Sequence, residues 1–127
     1  MSRQPDTTLH RRSTPATVFR LLAGPVIWAL HFGAIYFMQS MLCAHGLATD
    51  RIAGVGAIPA LIVVFTLVAE AALLIAVLPS AMVLRAGSER EPRFEAQVTV
   101  FLAILSAVAI LWAGITWTIV PSCPALR

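Results

Sequence analysis

Residues 21–43 read LLAGPVIWALHFGAIYFMQSMLC, an apolar run with an imidazole, His31, near its middle. A helix needs about 20 such residues to cross about 30 Å of hydrocarbon, and this run is long enough. Lipid offers no partners to backbone N–H and C=O groups, so the segment must satisfy them itself as a helix. A signal peptide is the rival reading, but the run is too long for its apolar region and no small-x-small cleavage site follows. A lipoprotein signal is the other rival, because Cys43 ends the run. The residues before it are SML, where small residues would be needed next to the cysteine. The segment is therefore expected to stay in the membrane.

Two further runs follow. One lies within residues 52–84, with a core from Ala57 to Pro79, and the other is VTVFLAILSAVAILWAGITWTIV, Val98 to Val120. Of the 127 residues, 59% are hydrophobic and 12% charged, and the mean hydropathy is +0.87. A soluble domain of this size needs more charge to cover its surface. The expected fold is an all-α membrane protein of three transmembrane helices, at about 21–43, 57–84 and 98–120. Residues 1–16, MSRQPDTTLHRRSTPA, are too polar to bury a core and are expected as a disordered tail. Residues 17–127 then form a single bundle. Pro25 and Pro59 stand near helix starts, where proline is tolerated, and Pro79 is placed to kink the far end of the second helix.

The nine basic residues, all arginine, exceed the six acids and give a formal charge of +3. They are spread along the flanks of the apolar runs, with no basic face carrying interleaved aromatics, which excludes nucleic acid as a partner. They suit lipid headgroups and topology instead. Arg3, Arg11, Arg12 and Arg20 precede the first run, and Arg85, Arg90 and Arg93 lie between the second and third. The opposite side has Arg51 and Arg127. The positive-inside rule then puts the N-terminus in the cytoplasm and the C-terminus in the periplasm of a bacterial inner membrane. Glu89, Glu91 and Glu95 dilute the charge of the second loop, but acids count for little in this rule.

Within the runs, two ionisable side chains match in depth. His31 is ten residues into the first run, about 15 Å by helical rise, and Glu70 is nine residues before Pro79, about 13 Å from the same side. A lone carboxylate in lipid costs a few kcal/mol, so it faces the bundle, finds a partner or stays protonated. His31 is the expected partner of Glu70, with Thr66 and Ser106 as supporting polar groups. The pair reads either as a hydrogen bond that fixes helix packing or as a proton-sensitive or ligand-binding site. Trp28, one turn from His31, is placed to shield it. Gly24, His31 and Met38 share a face that could admit a haem, but there is no second membrane histidine to complete the axial pair.

The end of the first run reads MQSMLCAHG, and the chain closes with PSCPALR. Cys43 and Cys123 are the only two cysteines and fall on the same side. Two readings compete. On an oxidising side they form a disulfide; reduced, they join Met41 and His45 in a soft-ligand Cu(I) site. A third reading leaves them as inert thiols. Tyr36 and Trp117 lie toward that membrane boundary, where amphipathic rings favour the headgroups. Ala69, Ala71 and Ala72, with Ala103, Ala107, Ala109, Ala113 and Gly114, permit close helix approach.

No nucleophile elbow, phosphate loop, His-Glu-x-x-His pair or CxxC is present in the sequence, which points away from an enzyme and implies no cofactor. The pattern GPVIWALHF…Y followed by Cys43, with the closing PSCP, resembles small three-helix membrane proteins encoded among bacterial cytochrome c oxidase and oxidase-assembly genes. The resemblance is carried by Gly24, Pro25, Trp28, His31, Phe32, Tyr36, Cys43 and Cys123, about a third of the chain. It implies an accessory or assembly protein of a respiratory haem-copper oxidase, docking laterally on larger subunits. The alternatives are a copper-handling protein using Met41, Cys43, His45 and Cys123, or a small oligomeric proton-coupled carrier using Glu70 and His31.

Overall fold

The computed structural model describes residues 14–47, 51–52, 54–87, 90–119 and 123. Three long helices, α1 (Thr14–Ala44), α2 (Ala57–Arg85) and α3 (Arg90–Ile119), run up, down and up. A two-residue ribbon, β1 (Arg51–Ile52) with β2 (Val55–Gly56), sits between α1 and α2; Arg51 pairs with Gly56 and Ile52 with Val55. All three helices carry an apolar stretch long enough to span a bilayer. The chain is a multi-pass membrane protein, all-α but for that ribbon.

The helices overrun their apolar cores. The 31 residues of α1 span about 46 Å, well beyond the hydrocarbon. It begins at Thr14, so residues 14–16 belong to a helix and not to the expected tail; residues 1–13 lie outside the described residues. Pro25 is therefore inside α1 rather than near its start, and its ring leaves the Leu21 carbonyl without the usual helical donor. Likewise α3 starts at Arg90 instead of 98. Its first residues, REPRFEAQ, are mostly strong helix formers, and Pro92 stands in the first turn, where proline lacks no needed donor. Apolar counting sees only the part of a helix that lipid selects, and these polar turns extend it into the headgroup layer.

Gly46 (φ 70°) and Gly87 (φ 67°) stop α1 and α2 in the left-handed region that glycine reaches without strain. The Ala86 N–H closes the last turn of α2 on the Met82 carbonyl at 2.9 Å.

The interior is thin. Between 17% and 28% of each apolar window is buried, so most apolar side chains face outward, as they must when lipid is the solvent. One buried cluster holds Ala69, Leu73, Ala103 and Ile110, packed by Ile27, Val77 and Ala107. The other holds Ile35, Ile58 and Ile62, covered by Met38, Leu42, Phe65 and Trp117 and by the two cysteines. The second cluster marks the disulfide end of the bundle. The opposite end, with Arg20, Arg85 and Arg93, is the arginine end.

Candidate functional site

The face of α1 that carries Gly24, His31, Ile35 and Gln39 is turned inward, and all four residues are buried. Gly24 does not make room for a flat ring. A Cβ there would come within 2.9 Å of Ser106 Oγ and 3.3 Å of the Ala103 Cα, so the missing side chain lets α3 approach. Gly114 plays the same part on α3, where a Cβ would lie 2.7 Å from Thr66 Oγ1. Thr66 is thus pressed between two helices. Its hydroxyl donates to the Ile62 carbonyl at 2.8 Å, which commits its single proton. His31 Nε2, 3.2 Å from the same oxygen, is then the donor, and a neutral ring keeps its lone pair on Nδ1.

The expected bond between His31 and Glu70 does not form. His31 Nδ1 and Glu70 Oε1 are both buried with no hydrogen-bond partner among the described residues. The reason is azimuth rather than depth. Phe65, Val68, Ala69 and Ala72 line the groove that α2 shares with Ile27, Leu30 and His31 of α1. Thr66 stands at the edge of that set, and Glu70 is about 40° further round the helix, away from α1. Thr66 takes the place that Glu70 was expected to fill. Ser106 supports neither residue: it donates to its own helix, to the Leu102 carbonyl at 2.8 Å.

Trp28, placed by its spacing to shield His31, lies at the surface. It is 40% exposed and packs on Phe32 with ring centroids 6.3 Å apart. Phe32 in turn meets Trp117 at 6.4 Å, tying α1 to α3. Tyr36 is exposed, and so is Trp112. Three buried polar residues escaped the sequence reading: Gln39, Ser80 and Thr99. Gln39 was the detectable one, since an amide in an apolar run calls for a partner as an imidazole does.

At the disulfide end, Cys43 and Cys123 are bonded, with Cα atoms 5.9 Å apart and 80 residues between them in sequence. The bridge ties the last turn of α1 to the segment after α3, over the Ile35–Ile58–Ile62 cluster. With both sulfurs bonded to each other, neither is a thiolate ligand in this form. Met41 and His45 are exposed beside the bridge. Among the described residues no three His, Cys, Asp or Glu side chains converge as a metal site.

The site at mid-membrane is therefore two separate features, a His31–Thr66 seam and a half-buried carboxyl on the flank of α2. Comparison of the chain with protein families, with curated proteins and with solved structures finds no match.

Proposed function

We propose that this chain is an accessory or assembly protein that docks sideways on larger membrane subunits, with Glu70 at the contact. The observation that carries the reading is the Glu70 carboxyl. It lies in the middle of a membrane helix on a half-buried residue, and its Oε1 finds no hydrogen-bond partner among the described residues. Such a group invites a donor from another protein. The exposed apolar faces of the three helices offer the rest of the contact surface. The partner implied by the resemblance of the first helix and the closing PSCP is a respiratory haem-copper oxidase.

The orientation proposed is N-terminus in the cytoplasm and disulfide end in the periplasm. Arginine count and disulfide chemistry support it independently, since the bridge suits an oxidising compartment. After reduction, an impermeant thiol reagent should label Cys43 in intact spheroplasts; labelling only in inverted vesicles would reverse the orientation.

The test of function is a pull-down of the tagged full chain in mild detergent, read by mass spectrometry and haem absorbance. Co-purification of large haem-bearing subunits, lost in Glu70→Leu, is the expected result. A haem-free small oligomer, together with normal oxidase content in a deletion strain, would overturn the reading. A carrier remains the second reading, because His31 Nδ1 and Glu70 Oε1 are two unpartnered groups within the same membrane core. It requires pH-dependent flux in liposomes that Glu70→Gln removes.

A further inference from the structure

The arginine end carries a notch of mixed polar and apolar lining where the three helices meet. It is lined by Thr17 and Arg20 of α1, Ser80 of α2, and Glu95 and Thr99 of α3, and it encloses about 70 Å³. Arg20 stands just before the apolar run of α1 and Glu95 just before that of α3, so the notch lies at the boundary between hydrocarbon and headgroups.

Two facts define its chemistry. First, it holds one cation and one anion, and among the described residues no ion pair or hydrogen bond joins the two side chains. Second, its walls mix the hydroxyls of Thr17, Ser80 and Thr99 with the apolar Leu21, Pro79, Val83 and Ala96. Ser80 and Thr99 are buried, and Thr99 has already given its proton to the Glu95 carbonyl at 2.9 Å, leaving its oxygen as an acceptor. Next to Arg20 and Glu95 in sequence, Phe19 and Phe94 are exposed and apolar.

We propose that the notch binds the headgroup of a phosphatidylethanolamine, with the phosphate on Arg20 and the primary ammonium on Glu95. A guanidinium matches a phosphate by bidentate hydrogen bonding. A carboxylate beside it repels a headgroup of net negative charge, so a purely anionic lipid is the poorer fit. The ammonium has three N–H donors for Glu95 and for the Thr99 oxygen. A quaternary choline has none. Leu21 and Pro79, which also line the notch, give the start of the acyl chains an apolar contact. Arg85 and Arg93, exposed at the same end, add long-range attraction for phosphate without choosing among headgroups.

The experiment is native mass spectrometry of the full chain released from bilayers of equal phosphatidylethanolamine, phosphatidylglycerol and phosphatidylcholine. Phosphatidylethanolamine adducts should exceed each of the others by about tenfold, the ratio that one well-placed charged contact supplies. Glu95→Gln should move the preference to phosphatidylglycerol, a gain that misfolding does not produce. Arg20→Gln should lose retention of all three. Equal retention of the three lipids by the wild type, or an unchanged preference in Glu95→Gln, would overturn the proposal. So would binding of soluble phosphoethanolamine as tight as that of the lipid, which would leave no part for the acyl chains.

Discussion

The His31 seam and the Glu70 flank lie in the same layer of the membrane and have opposite fates. His31 is inward, 4% exposed, and bonded to Thr66 in a place where Gly114 lets the helices close. Glu70 sits one turn from Thr66 on the same helix, and its Oε1 finds no partner among the described residues. A polar group in lipid can be satisfied from within or from outside, and this bundle shows one of each. The first kind holds helices together; the second is a demand on a neighbour.

Four substitutions, with Gly33→Leu as a control, test that contrast in decreasing order of effect on the isolated chain. Cys43→Ser removes a bridge that lies outside both regions and sets the scale. Closing a loop of this length stabilises a chain by about 2–4 kcal/mol, so detergent-phase unfolding should shift by that order while His31–Thr66 geometry persists. A shift as large from Glu70→Leu would place the carboxyl among the structural groups. Gly114→Leu attacks the seam directly. Its side chain must displace Thr66, and overpacking of this kind costs about 1–3 kcal/mol. Gly33→Leu, where no atom lies within 4 Å of the added Cβ, is the matched control and should leave the unfolding midpoint nearly unchanged; equal loss in both variants would erase the seam.

The smallest effects sharpen the comparison most. Thr66→Val deletes the acceptor of His31, and interhelical hydrogen bonds in membranes average about 0.6 kcal/mol, so a small loss of stability is expected. Glu70→Leu removes an unsatisfied carboxyl and should leave the isolated chain as stable or slightly more so. Yet it should abolish co-purification of larger subunits. A destabilised monomer with intact co-purification would reverse the roles assigned to the two regions.

Parts of this site were legible before any coordinates. The depth of His31 and of Glu70 follows from counting along an apolar run, and the inward face of Gly24 and His31 follows from their spacing. The pairing of Cys43 with Cys123 was one of three open readings, and the fold chose it by bringing the end of α1 against the segment after α3. The partner of His31 was not legible. Thr66 and Glu70 are one turn apart, and choosing between them requires knowing how α2 is rotated against α1. The notch of Arg20 and Glu95 was equally hidden, because its two charges lie on different helices, 75 positions apart in number, and its hydroxyls on all three.

The sequence by itself determined that this is a three-pass helical membrane protein, since about 20 apolar residues in lipid have no other way to satisfy their backbone. It also determined how deep each polar residue lies, because helical rise is a constant. Only the tertiary structure decided which polar groups meet. That outcome depends on the rotation of each helix about its axis, set where Gly24 and Gly114 let backbones approach. Helices whose surfaces are apolar nearly all round carry little local signal of that rotation.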